Sequence, residues 1–208
     1  GGGGGMGLEG CWGGPEVAAE PAGGVPGLFL GRGFLGAAEQ ARLLARAGEL
    51  CSAPGQAGGP SSSGTPNQAM RFAGSSGLPP WAQDLAELVS EFLVHGGVVA
   101  RGAPLGFNQM IVNRYSPGQG ISAHVDLAAF GDVVASVSLE SAATMDFSPK
   151  EGGGGKGGGL LEPGDLLVLS GQARWDWLHG ISACSSQRTS ISLRTLGEGG
   201  PHELTEHG

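Results

Sequence analysis

Beyond Pro104 the spacing of apolar residues changes from three or four to two, in short runs: Met110 to Tyr115, Val133 to Leu139, Ala143 to Phe147, Asp165 to Ser170, and Thr189 to Leu196. Successive side chains of a strand point to opposite faces, so this alternation predicts strands with one buried side and one polar side. Turn residues separate the runs, as in an antiparallel sandwich. Upstream, Pro79 and Pro80 suit a first helical turn, and Trp81, Leu85, Leu88, Val89, Phe92 and Leu93 recur at helical spacing up to Gly96 and Gly97. A second helix is expected over Ala37 to Gly48, with Leu43 and Leu44 inward and Gly48 as its stop. Gly27 to Leu35 reads as a short strand and turn. The expected fold class is α+β: a jelly-roll, or double-stranded β-helix, of antiparallel strands buttressed by two or more N-terminal helices.

Composition sets the outer bounds. The chain has 208 residues, enough for one domain, but 43 are glycine and many of these lie in runs that add little to a core. Residues 1–27 lack the large apolar groups needed to offset their ordering entropy and are expected to be disordered. The domain is expected over 28–196, with a mobile loop over 51–77, a flexible Gly-rich connection over 151–159 and a loose tail over 197–208. Within 51–77, Met70 and Phe72 are the one apolar pair. Three cysteines, Cys11, Cys51 and Cys184, support neither a disulfide framework nor a cysteine zinc site. They fit a reducing compartment, so cytoplasm or nucleus is expected. No apolar run approaches the roughly 20 residues of a membrane span, and the net charge of -8 includes no polybasic arm.

The chemistry concentrates in FNQMIVNRYSPGQGISAHVD, Phe107 to Asp126. Its end places His124 and Asp126 two positions apart, on one face of a strand, where both could reach one metal ion. His179, inside RWDWLHGI, is the best-placed third ligand. Two histidines and a carboxylate form the facial set that binds non-haem Fe(II) and leaves coordination positions open. Any one of the three alone reads more simply as a surface group or a satisfied core histidine. Parity adds weight: Asn113 and Tyr115 share a face, and so do Arg188, Ser190, Ser192 and Arg194, while Ile191 and Leu193 point the other way. Two arginines and two serines turned to one side suit an anionic ligand better than a solvated edge strand.

Asn-x-Tyr, His-x-Asp, a distal His and a closing Arg-x5-Arg occur here in that order, as NRY, HVD, LHG and RTSISLR. With these motifs the chain resembles the AlkB-like family of Fe(II)- and 2-oxoglutarate-dependent dioxygenases, over about residues 78–196 and more loosely over 28–77. YSPGQGISAHVD, VSLESAATMDF and RWDWLHGI are similar to the tRNA-modifying AlkB homologue 8 branch and its plant and algal relatives. The resemblance implies that His124, Asp126 and His179 hold Fe(II). It implies that Arg188, helped by Tyr115, pairs with the distal carboxylate of 2-oxoglutarate, and that Asn113 and Arg194 sit by its proximal carboxylate and the metal ligands. Ser190 stands where the branch has an asparagine, as another cosubstrate contact, and Met70 and Arg71 lie where the family carries a substrate lid, so the resemblance implies a lid within 51–77.

The implied activity is hydroxylation or oxidative demethylation of a modified nucleobase, with RNA favoured over DNA and a tRNA wobble-uridine side chain as the target. Repair of alkylated DNA or RNA, and hydroxylation or demethylation of a protein, are the alternatives. Repair-type members carry an acid two positions after the metal aspartate, where Ala128 stands here. Trp175 and Trp177 share parity with His179 and could wall a substrate pocket or belong to the core. Met145, Asp146 and Phe147 read mainly as core strand, with Asp146 able to border the site. After Arg188 and Arg194, the basic residues left between 105 and 196 for phosphate contacts are Arg114, Lys150, Lys156 and Arg174. A partner protein or a further domain is therefore expected to supply RNA affinity.

Overall fold

A computed structural model describes residues 18–52, 67–72, 78–102, 105–152 and 155–197. In chain order its elements are β1 (Glu20–Pro21), β2 (Leu28–Gly31), α1 (Ala37–Ser52), β3 (Asn67–Phe72), α2 (Pro80–His95), β4 (Gln109–Tyr115), β5 (Ile121–His124), β6 (Phe130–Leu139), β7 (Ala143–Pro149), β8 (Gly157–Leu161), β9 (Leu166–Leu169), α3 (Gly171–Trp175), β10 (Trp177–Ile181) and β11 (Arg188–Leu196). The strands form a seven-stranded sheet, β1-β2-β9-β6-β11-β4-β3, and a four-stranded sheet, β5-β10-β7-β8. All their pairings are antiparallel. The jelly-roll expected from the alternating runs is what forms.

The alternation decides which side of the large sheet meets which layer. Met110, Val112, Ala135, Val137, Ile191 and Leu193 point outward and pack under α1 and α2, against Leu43, Leu85, Val89, Phe92 and Leu93. Burying each large apolar side chain of α2 contributes about 1.5–3 kcal/mol, so this stripe fixes the helix to the sheet. On the inner face Tyr115, Val134, Leu167 and Leu169 meet Met145, Phe147 and Ile181 of the small sheet. The polar residues of β4, β6 and β11 are thereby enclosed between the two sheets.

Several expectations are corrected. Gly48 does not end the first helix, which runs on to Ser52; Leu50 and Cys51 pack against the core, offsetting the roughly 1 kcal/mol cost of an interior glycine. Leu44 is only half-buried. The loop reading of 51–77 fails at both ends of its described part: Cys51 and Ser52 are helical, and Asn67–Phe72 is a strand paired along β4. Backbone pairing to a long neighbour outweighs polar composition there. Residues 53–66 and 73–77 lie outside the described residues, as do 1–17 and 198–208. The disorder expected for 1–27 does not hold from 18 onward, where β1 pairs with β2 and Val25 is buried. The glycine connection is structured at its end, since Gly157–Leu161 pairs with β7. Gly158 is suited to that place, with φ of 131° and a hypothetical Cβ lying 2.2 Å from the Met145 carbonyl oxygen. β1, β8 and α3 were not foreseen as elements, and β5 stops at His124, so Asp126 lies just beyond the strand on which the two were expected to share a face.

Candidate active site

Register across the large sheet arranges the inner-face residues in rows. Arg188 faces Tyr115; Ser190 lies between Asn113 and Ser138; Ser192 between Ile111 and Ser136; Arg194 between Gln109 and Val134. Rows are two residues, roughly 7 Å, apart. β11 is flanked on both sides, by β6 and β4, so its arginines are not on a solvated edge; Arg188 is 1% exposed. Opposite these rows the small sheet brings β5 beside β10 with His124 and His179 as direct cross-strand partners. Gly180 permits that approach, because a Cβ there would stand 2.9 Å from the Ile121 carbonyl oxygen.

The two imidazole rings lie 4.5 Å apart between centroids, and Asp126, in the loop leaving β5, completes the group. One ligand atom from each of His124, Asp126 and His179 lies within 4.8 Å of the others. His124 directs Nδ1 to the Ser122 carbonyl at 2.8 Å, which leaves Nε2 free to face Asp126 at 4.0 Å. That hydrogen bond fixes the tautomer, as outer partners of metal-binding histidines commonly do. His179 is buried against Phe147, with ring centroids 5.9 Å apart. Burial pushes its pKa down to about 4; Asp126 opposes this, and His124, Arg194 and Arg174 add to it. His179 is therefore neutral at pH 7, the form that ligates a metal.

The cavity between the sheets is lined by these three residues together with Asn113, Tyr115, Ser190, Ser192 and Arg194, and has a volume of about 50 Å³. A larger concavity of about 490 Å³ lies against the small sheet, beside Asp146, Ser148 and Ser182, but contains none of the ligand candidates. We take the smaller one as the site because the chemistry is there. Arg188 reaches Ser138 Oγ through Nη2 at 3.1 Å and lies over Tyr115, 5.1 Å from its ring centroid. Burial raises the Tyr115 pKa, against the pull of Arg188 and Ser190, so the phenol remains a donor at neutral pH. Arg194 contacts Asp126 Oδ1 at 3.1 Å and lies over Phe130, 4.6 Å from its ring centroid.

Buried atoms without partners test what this cavity is built to hold. His179 Nδ1, Arg188 Nε and Nη1, and Arg194 Nε make no hydrogen bond. An unpaired buried donor costs about 1–3 kcal/mol, and here a ring nitrogen beside a carboxylate and two guanidinium groups sit in one enclosure. A dicarboxylate spanning the arginine rows would satisfy the guanidinium nitrogens, and the nitrogen and oxygen donors of the triad suit a cation. The residues fit Fe(II) and 2-oxoglutarate.

Two contributors escaped the sequence reading. Gln68 of β3 donates from Nε2 to Asn113 Oδ1 at 2.8 Å, orienting the amide that lines the cavity; the polar composition of its surroundings hid the strand. Arg174 is not free for phosphate. It is 1% exposed and donates to the carbonyls of Asp126 (3.1 Å), Leu127 (2.8 Å), Phe130 (2.9 Å) and Gly131 (3.1 Å), so its fork holds the loop that carries Asp126. Trp175 stacks on it at 4.0 Å and donates to Asp132. Trp175 is in α3, so the strand parity with His179 applies to Trp177 alone, which packs at the margin of the inner core. Met145 and Phe147 are core as expected, and Asp146 is exposed, accepting a hydrogen bond from Ser182 Oγ at 3.2 Å. Ala128 is exposed.

A model of the 2OG-Fe(II) oxygenase superfamily matches residues 62–198, a span that contains the triad and both arginines. The chain belongs to the 2OG-Fe(II) oxygenase superfamily. Its AlkB-like character, read from the motifs, is borne out by the relatives. The tRNA (carboxymethyluridine(34)-5-O)-methyltransferase ALKBH8 of Mus musculus is 43% identical over 106 residues, covering 50% of this chain and 15% of the mouse protein. The alkylated DNA repair protein ALKBH8 homolog of Arabidopsis thaliana is 32% identical over 123 residues, 45% of this chain and 36% of that protein. The chain thus spans about a third or less of the length of these two relatives. Among solved structures, that of OsALKBH1 superposes with a TM-score of 0.60 at 20% identity, covering 82% of this chain and 98% of the other. That likeness concerns the fold.

Two expected results follow for this oxygenase. First, the pH dependence of the metal-free protein: unfolded, His179 takes a proton near pH 6.5; folded, only near 4. Between these values the unfolded state binds more protons, so stability falls as pH falls, by at most about 1.4 kcal/mol per pH unit and roughly 3 kcal/mol in total. Urea unfolding at pH 7 and pH 5 measures this, and His179→Gln flattens the difference. Second, Arg174→Met leaves four carbonyls with fewer partners and is expected to cost about 3 kcal/mol, read as a drop of roughly 6–12 °C in thermal midpoint.

Proposed function

We propose that this chain is a dioxygenase that couples decarboxylation of 2-oxoglutarate to hydroxylation of a C–H bond on a modified nucleobase, with a tRNA wobble-uridine side chain as its target. The observation that carries the reading is the enclosure itself, with two histidines and an aspartate within 4.8 Å facing a strand that turns Arg188, Ser190, Ser192 and Arg194 inward. His124, Asp126 and His179 would hold Fe(II), which supplies dioxygen activation when bound with the 2-oxo acid. The protein's own part is positional. Arg188 and Tyr115 grip the distal carboxylate, a charge-assisted pairing that orients as well as binds. Ser190 supplies a hydroxyl beside it, while Asn113, aligned by Gln68, and Arg194 steady the proximal end. Arg174 keeps the Asp126 loop in place, and the two sheets exclude water. If the hydroxylated carbon is an N-alkyl group, the product breaks down to aldehyde and amine; otherwise the hydroxyl is retained.

For the substrate, the mouse relative bears a name that concerns a tRNA uridine, and the acid of repair-type members is replaced by Ala128. The Arabidopsis relative is named for alkylated DNA repair, which keeps demethylation of alkylated nucleic acid as the second reading. With Arg174, Arg188 and Arg194 turned inward, Arg114, Lys150 and Lys156 are the cations left for phosphate between 105 and 196. A partner or another segment is proposed to hold the RNA, in the cytoplasm or nucleus, and lid residues over the site are proposed within 51–77. Succinate production by the purified, Fe(II)-loaded chain, followed by nucleoside mass spectrometry of cells lacking the gene, tests the reading. Accumulation of an unhydroxylated wobble uridine supports it; a rise in 1-methyladenine replaces it with the repair reading.

A further inference from the structure

Leu167 and Met145 each have a cavity on both sides. A second space of about 170 Å³ lies between the sheets, with Leu28, Leu30, Met145, Phe147, Leu161 and Leu167 among its walls. Met145 and Leu167 also line the cavity that contains the metal-ligand candidates. Register shows how the two spaces follow one another. One row of the large sheet reads Leu30, Leu167, Ser136, Ser192, and one row of the small sheet reads Gly159, Met145, Ile181, Ile121. The first member of each row lines the second space, the last two line the metal cavity, and Leu167 and Met145 stand between them, one side chain from each sheet. In the next row of the small sheet, Phe147 lines the second space and packs against His179.

This space lies under β7 and β8, at the opposite edge of the small sheet from β5, whose His124 side chain is 37% exposed. Its leucine, methionine and phenylalanine walls are buried, and Glu20 and Arg32, both exposed, stand at its outer end. Apolar walls offer a water molecule too few partners, and such cavities take apolar guests instead, xenon among them. We propose that the space admits dioxygen, a small apolar gas, and passes it to the metal centre between Leu167 and Met145. The unbranched methionine chain is flexible enough to swing aside. This deepens the dioxygenase reading above and rests on it: a nucleobase approaches from the exposed His124 side, and a gas entering beneath β8 reaches the metal without passing the base.

The whole metal-free chain equilibrated with xenon is expected to show a saturable site by xenon NMR, and Leu161→Trp, which puts a larger ring into the space, is expected to abolish it. In the Fe(II)-loaded chain, Leu161→Trp is expected to raise KM for dioxygen in 2-oxoglutarate turnover by about fivefold or more, with kcat at saturating dioxygen within about twofold of wild type. KM for 2-oxoglutarate and affinity for Mn(II) stay as in wild type, since Leu161 does not line the metal cavity. Leu30→Phe, a smaller addition from the facing sheet, is expected to act in the same direction and serves if the tryptophan variant unfolds. A merely structural change would lower the thermal midpoint without altering the dependence on dioxygen. Absence of a xenon site in the wild type, or an unchanged KM for dioxygen in the folded variants, overturns the route and leaves the proposed function standing. No 2-oxoglutarate turnover by the wild type at any dioxygen concentration overturns both.

Discussion

Replacing Asp126 by alanine is expected to abolish coupled and uncoupled 2-oxoglutarate turnover and to lower metal affinity by more than about 100-fold, since loss of an outer-sphere partner alone costs 10–100-fold. The carboxylate has two roles. It offers the one oxygen of the three ligand atoms, and it is the anion opposite Arg194. Its removal leaves the half-buried Arg194 guanidinium with no carboxylate, a costly state for a charge largely withdrawn from water. Asp126→Asn retains an oxygen and the loop's shape but not the charge, and is expected to recover only a minor part of the metal affinity. Titration with Mn(II), which binds similar donors without turning over, measures this separately from activity. Retention of wild-type Mn(II) affinity in Asp126→Ala would overturn the triad.

The second large effect is at Arg188. Arg188→Ala is expected to raise KM for 2-oxoglutarate by about 100-fold or more, roughly 3 kcal/mol, the scale for losing one partner of a buried charge pair. Arg188→Lys recovers part of it, because an ammonium cannot present the planar fork that meets a carboxylate on two oxygens. The unloaded protein is expected to behave oppositely. In the absence of the diacid, Arg188 holds two unpaired buried donors, so Arg188→Met, which keeps most of the volume without the charge, unfolds at a temperature no lower than wild type. With Mn(II) saturating in both, added 2-oxoglutarate then raises the wild-type midpoint and leaves that of the variant in place. A KM shift below threefold would remove Arg188 from the cosubstrate site.

How much of this was legible depended on which interaction fixed each element. α2 and the long strands β4, β6 and β11 are specified by apolar periodicity, and the inward pairing of Asn113 with Tyr115 and of Arg188 with Arg194 follows from parity within a single strand. The short strands are different. β5 has four residues, two of them exposed, and β8 is largely glycine; both exist because a neighbour offers a complete edge, and neither shows the apolar alternation that would mark its bounds. β3 was hidden for the same reason, and Gln68 with it. Arg174 was misassigned because its charge suggests a surface position, whereas four carbonyls of a distant loop accept its hydrogen bonds in the interior. Trp175 shows the limit of parity, which holds only when the secondary structure has been identified correctly.

Arg174 has a consequence for how the centre loads. It lies five residues before His179, on the short helix that leads into β10, and it clasps the loop bearing Asp126 by contacts internal to the protein. Those contacts are to backbone carbonyls, and none of them uses a ligand atom of the candidate triad, so the loop has an anchor independent of the ion. A centre assembled in this way gives up little conformational entropy when the ion arrives, unlike small metal domains whose folding is the binding event. Chelation should accordingly strip the ion and leave the fold standing, so that loss and replacement of the metal is a reversible step available to a folded enzyme.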